Sequence, residues 1–440
     1  MSAVPGSIDT EYQPPMAVPL RHFLVGLGFL LAGGVLGMAG GGLRTLAHVH
    51  ALVLGWVCLT IMGAMTQFVP VWSGTRLHSR RLARLQLALV TAGLVGFLAT
   101  LVAGRPDLLV VAGVVVLAGF WTFVYNVGRT LATVRPLDVT ERHFAFALAC
   151  LLVVTTFGLA LAAGFRTPFL GGLRARVVSA HATLAVFGVV LGTVAGASYQ
   201  LGTMFTQTDI EGVDATLQRV ETAVYPLGVV LLAAARLLAR PLLARVGAVF
   251  VVGGLALLAV VIGRRLLETR VAWTPMLRRY AAFSGALLLW CGLTLPAWLA
   301  APLAPAARFG APGATHLLLL GVVGAIVSGT LYHIVPFVVW VHRYSHRLGF
   351  ESVPMIDDLY DDRLATGDLL AVGAGTALVV AAELFGGGLF GGGLATTARA
   401  VGGTLALAGF CLFVANLSLV VVRHAPGTIS GRLAGPTTEE

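Results

Sequence analysis

The chain has 440 residues, 58% of them hydrophobic and only 11% charged, with a mean hydropathy of +0.91. Such a composition excludes a soluble globular protein and points to an all-α polytopic membrane protein. All 29 basic residues are arginine, and the formal net charge of +10 reads as arginine at helix ends and in loops, not as a nucleic-acid surface.

Residues 1–21 are polar and proline-rich and lack the early basic region of a signal peptide, so they read as a cytoplasmic tail. Twelve apolar runs follow, each near the length of about 20 residues that crosses a bilayer as helix. They span 22–42, 47–73, 84–104, 107–130, 141–164, 177–205, 220–240, 243–263, 277–301, 315–342, 368–388 and 399–422. Together they predict one membrane domain over 22–424, with a short tail at 425–440. Cys58, Cys150, Cys291 and Cys411 each lie in an apolar run and form no CxxC or CxxCH pattern, so neither disulfides nor covalently attached haem is expected.

Loops after even-numbered runs, together with both tails, carry 19 of the 29 arginines, and the opposite side carries 10. The positive-inside rule then places both termini in the cytoplasm, in a prokaryotic cytoplasmic membrane.

The second, sixth and tenth runs share a motif. Gly63-Ala64-Met65-Thr66-Gln67, Gly196-Ala197-Ser198-Tyr199-Gln200 and Gly329-Thr330-Leu331-Tyr332-His333 each read as glycine, a small residue, two more, then Gln or His. The glycines suit close helix packing. His48 and His181 both lie fifteen residues before the motif glycine, and His50 and His316 both lie thirteen before it. A four-helix period follows, with repeats at about 22–130, 141–263 and 277–424. Three equivalent helices with histidines at one depth predict a ring around a pseudo-threefold axis.

Two residues subtend about 200° on an α-helix, so His48 and His50 face opposite gaps of that ring. One ring order pairs His48 with His316 and His50 with His181, and leaves Ala314 opposite Thr183. The other order pairs His181 with His316 alone and strands two imidazoles. Unpartnered buried imidazole is costly, which favours the first order. Two imidazoles on facing helices are what a b-type haem needs as axial ligands. Copper would accept them too but calls for a third ligand, and no acidic residue in these helices supplies one. The metal-ligating set is therefore His48 and His316 for a first haem, and His50 and His181 for a second haem or a metal. Arg44, Arg174 and Arg176 stand near these histidines in sequence and are candidate propionate partners.

The bland reading of a lone intramembrane histidine is an interhelical hydrogen bond. His342 and His346 in "HRYSH" have metal-ligand spacing but sit among arginines at a membrane boundary. His22, His78, His143 and His424 lie near segment ends and read as interfacial. Glu383 is the one carboxylate placed inside an apolar run, so buried acids for a proton path look scarce.

The second run resembles the tenth helix of subunit I of the haem–copper oxidase superfamily, in its cbb-type oxidase and nitric oxide reductase branch. The residues that carry the likeness are His48-Val49-His50, Leu54-Gly55-Trp56, Gly63-Ala64 and Val69-Pro70. "FVPVWSG" (Phe68–Gly74) also resembles the NnrS family of haem- and copper-containing membrane proteins. The oxidase resemblance implies twelve helices in three fours and a low-spin haem at His48 and His316. It also implies what is missing: Ala314 stands where the catalytic haem would be ligated, and Thr183 at a copper ligand position. The seventh run, "VETAVYPLGVVLLAAARLLA", has no histidine.

The expected function is thus haem b-dependent electron transfer in a respiratory chain, of oxidoreductase type, without the copper and oxygen-reducing centre. Expected partners are the lipid bilayer, a quinol or small redox protein, and a companion membrane subunit. An NnrS-like role in nitric oxide binding or nitrosative stress is the alternative. A cofactor-free transporter or structural subunit is a further one.

Overall fold

The structure, a computed structural model, describes residues 12–386 and 391–428. Among them twelve helices are long and apolar enough to cross a membrane, and no strand forms. The first four are α1 (Ala17–Ala39), α2 (Gly42–Trp72), α3 (Arg80–Val102) and α4 (Pro106–Leu131). The next are α5 (Val139–Ala163), α6 (Gly171–Thr206), α7 (Gly212–Leu238) and α8 (Pro241–Leu267). The last are α9 (Pro275–Ala300), α10 (Leu317–Arg343), α11 (Asp362–Phe385) and α12 (Gly392–His424).

Several helices start earlier than their apolar runs, because their polar first turns are capped. The Ser79 hydroxyl accepts from the Leu82 amide at 3.2 Å to start α3, and Asp138 and Glu141 form a reciprocal capping box on α5. Asp361 accepts from the amides of Arg363 and Leu364 at the start of α11. The N-terminal tail expected over 1–21 is corrected: α1 begins at Ala17, with Pro19 tolerated in its first turn. Residues 1–11 of that tail, and 429–440 of the C-terminal one, lie outside the described residues.

Helices α2, α6 and α10 form the centre. The apolar windows of these three are 78%, 72% and 67% buried, against at most 56% for the other nine. They enclose an axial cavity lined at equivalent positions: Thr60, Thr193 and Ile326 three residues before the motif glycines, and Ala64, Ala197 and Thr330 one after. The glycines themselves are contact points. A Cβ on Gly63 would stand 2.8 Å from the Cβ of His22, one on Gly196 2.7 Å from that of His143, and one on Gly329 2.9 Å from that of Arg279. Each motif thus seats the second helix of a four against the first.

A feature invisible in the sequence repeats three times as well. Ala51–Cys58, Leu184–Val190 and Leu317–Gly324 are wound as π-helix, and each begins twelve residues before its motif glycine. The insertion of an extra residue per turn is rare and recurs at functional positions. Here it follows directly on the histidine-bearing turns.

In the half of the bilayer away from those histidines, each four is locked by a buried polar cluster on its first three helices. In the first, Gln86 donates to Thr66 at 3.3 Å and reaches the His22 Nε2 at 3.5 Å. In the second, His143 and Tyr199 both donate to Glu221, at 3.1 and 3.0 Å. In the third, Arg279 and Tyr332 both donate to Asp368. All nine side chains are buried. Two expectations are corrected here. His22 and His143 are not interfacial but about 99% buried in these clusters, each 1% exposed. Glu383 is not the one intramembrane carboxylate, since Glu221 and Asp368 lie inside α7 and α11. Glu221 and Asp368 stand at the starts of the apolar runs 220–240 and 368–388, but α7 and α11 begin several residues earlier, at Gly212 and Asp362.

Candidate functional site

His48 and His50 lie on the turn of α2 that precedes its π stretch, His181 on the equivalent turn of α6, and His316 immediately before that of α10. All four rings are held the same way. The Nδ1–H of His48 donates to the Gly33 carbonyl at 2.7 Å, that of His50 to Leu46 at 2.8 Å, and that of His181 to Val154 at 3.0 Å. His316 places Nδ1 2.6 Å from Oε1 of Glu383. A carbonyl only accepts, so in His48, His50 and His181 Nδ1 carries a proton and a neutral ring has its lone pair on Nε2. No Nε2 of these four rings has a hydrogen-bond partner among the described residues. This is the arrangement that fixes the tautomer and aim of a metal-ligating imidazole.

The first helix of a four prepares the space. Gly37 lies one turn beyond the Gly33 carbonyl on α1, and a Cβ there would come within 2.6 Å of the His48 Nδ1. On α5, Gly158 lies one turn beyond Val154, and its Cβ would stand 3.2 Å from Cε1 of His181. Both glycines leave room for a ring that a side chain would displace.

The three gaps between α2, α6 and α10 differ. His50 and His181 line one cavity together, the two imidazoles being its basic groups. Its empty space is about 690 Å³ including the part that opens outward. Phe97, Val116, Phe120 and Leu151 make its walls apolar, and the Phe97 ring stands 5.0 Å from that of His50. In the second gap His48 lies within electrostatic reach of His316. This is the ring order in which His50 faces His181.

The third gap is filled by protein. Thr183 is fully buried and accepts from Arg236 at 2.8 Å. The same guanidinium donates to the carbonyls of Pro302, Ala307 and Arg308, and packs 5.1 Å from the Trp298 ring. Trp298 in turn packs edge-on against Phe187 and Trp290. Arg236 lies at the end of α7, where sequence reasoning saw only a helix-end arginine.

Arg44 and Arg176 are exposed on the histidine side of the membrane domain. Arg174 is engaged: it donates to the Leu161 carbonyl at 3.1 Å and covers the Phe165 ring at 4.5 Å. Glu383 as the partner of His316 was missed, because it is 67 residues away in sequence. Among the described residues no group of three or more His, Cys, Asp or Glu is placed to hold a bare metal ion, so each histidine pair stands as a two-ligand set. Comparison with protein-family models found no match, and comparison with curated proteins found none either.

Proposed function

We propose that the protein is a membrane electron-transfer cytochrome b of the haem–copper oxidase type, without an oxygen-reducing centre. What supports this reading is that His50 shares a cavity with His181, that His48 stands near His316, and that each ring rests its Nδ1 on an acceptor while its Nε2 has no hydrogen-bond partner among the described residues. A b-type haem held by two such imidazoles supplies a one-electron couple. The chain's own residues do the rest. Gly33, Leu46, Val154 and Glu383 fix the rings, Gly37 and Gly158 leave them room, and the apolar walls around His50 keep water out. Arg44 and Arg176 have no ion pair among the described residues and stand on the side where propionates would emerge. Thr183 and Ala314 offer no ligand in the third gap, and the buried Arg236 disfavours a cation there, which favours electron transfer over oxygen reduction. The arginine distribution supports a prokaryotic cytoplasmic membrane with the termini inside and the histidines towards the outside. A quinol or a small external redox protein is the electron donor this reading implies.

A second reading, nitric oxide binding in the NnrS manner, is favoured by the apolar lining of the His50–His181 cavity. Carbon monoxide added to the reduced protein separates the two. Two bis-imidazole sites leave the absorption spectrum unchanged, whereas a shift of about half the haem absorbance supports a gas-binding second site. Absence of haem sinks both readings.

A further inference from the structure

We propose that Glu383 is a positioning residue that lowers the midpoint potential of the His48–His316 site and so makes it the electron donor to the His50–His181 site. The inference rests on the cytochrome reading and names what tunes it.

The four imidazoles differ in what holds them. His48 and His181 each donate to a backbone carbonyl on the first helix of their four, that of Gly33 and that of Val154. His50 turns back to the Leu46 carbonyl, four residues before it. His316 stands at the same offset from its motif glycine as His50, but the fourth residue before it is Pro312, in the loop ahead of α10. With no helical carbonyl behind it, His316 reaches across to Oε1 of Glu383 on α11, at 2.6 Å. The loop is pressed onto the end of that helix. Gly313 has a φ of +82°, and a Cβ there would stand 2.8 Å from the Glu383 carbonyl oxygen.

The charge of Glu383 is aimed at one ring. Among the described residues His316 is the one ion-pair and hydrogen-bond partner of this carboxylate, whose Oε2 is buried without a partner. An Nδ1–H held by a carboxylate makes the imidazole a stronger donor at Nε2 than one held by a neutral carbonyl. Stronger donation favours oxidised iron and lowers the potential. The apolar walls around His50 and His181 act in the opposite sense, because a low-dielectric pocket disfavours the more charged oxidised form. Both effects therefore separate the two sites in one direction. One electron leaves the His48–His316 site, which is oxidised, and enters the His50–His181 site, which is reduced. No atom is transferred, and Glu383 stays ionised throughout.

The test is a potentiometric titration of the purified full-length protein at one pH, followed by haem absorbance, with Glu383→Gln and Glu383→Asp beside the unsubstituted chain. Gln keeps an acceptor for the His316 Nδ1–H and removes the charge; Asp keeps the charge. A charge-assisted hydrogen bond is roughly twice as strong as a neutral one. Glu383→Gln is thus expected to shift the reduced-to-oxidised ratio of the first haem about tenfold at a given poise, about 59 mV upward for one electron, with haem content unchanged. Glu383→Asp should move it less. The wave that shifts should be the lower of two and the one lost in His48→Ala, while the higher wave, lost in His181→Ala, stays in place. A residue that merely orients the ring would leave both waves unmoved in Glu383→Gln, and that result overturns the proposal. So does a lower wave that is lost in His181→Ala. Haem present with an unmoved wave sinks the proposal alone; no haem in the unsubstituted protein sinks the cytochrome reading and the proposal with it.

Discussion

His48→Ala and His316→Ala are each expected to remove one and the same haem, and His50→Ala and His181→Ala the other. The measurement is haem per protein together with the reduced-minus-oxidised spectrum of each purified variant. If both sites hold haem, every single variant loses about half the haem, and the spectra fall into two matching pairs. The double variant His48→Ala/His316→Ala should look like either of its parents, while His48→Ala/His50→Ala should lose both signals. The pairing follows from placement: His50 and His181 share a cavity, and His48 stands near His316 in the second gap. Matching losses from His48→Ala and His181→Ala would contradict it. Because Glu383 holds only His316, Glu383→Gln should disturb the first pair and leave the second alone.

The second large effect is on stability. Asp368→Ala leaves Arg279, 2% exposed, without its carboxylate and Tyr332 without its acceptor. Breaking one partner of a buried ion pair costs about 3–5 kcal/mol. Thr66→Val, in the corresponding cluster of the first repeat, removes the neutral hydrogen bond from Gln86, worth about 0.5–1.5 kcal/mol. The melting temperature in detergent should fall steeply for the former and slightly for the latter. Replacing both charges, as Arg279→Met/Asp368→Leu, should recover much of the loss, because an apolar pair needs no desolvation. Equal melting of Asp368→Ala and Thr66→Val would mean that the clusters do not lock the repeats as described.

The contrast among the three clusters also shows what the sequence could reveal. Twelve helices were legible because each carries its own apolar run, and the repeat was legible because glycine and histidine recur at fixed offsets. The side chains that join helices were not. Thr66, Tyr199 and Tyr332 share a register, but their partners Gln86, Glu221 and Asp368 sit on separate helices behind loops of different length. Hydropathy also misplaced them at segment ends. The π stretches leave no trace in composition, since "ALVLGWVC", "LAVFGVV" and "LLLLGVVG" suit an α-helix equally well. Arg236 shows the same limit from the other side. Its sequence neighbours suggest a membrane boundary, yet the loop after α9 folds over it and turns it into the plug of the third gap.

The most direct test of the central claim is the haem content of the purified, unsubstituted protein, read as pyridine haemochrome per chain alongside its oxidised spectrum. The paired Nε2 lone pairs predict at least one b-type haem per chain, low-spin and six-coordinate, and two if the His50–His181 cavity is also filled by haem. Protein that folds, remains monodisperse and carries no haem after expression with ample haem supply would contradict the account.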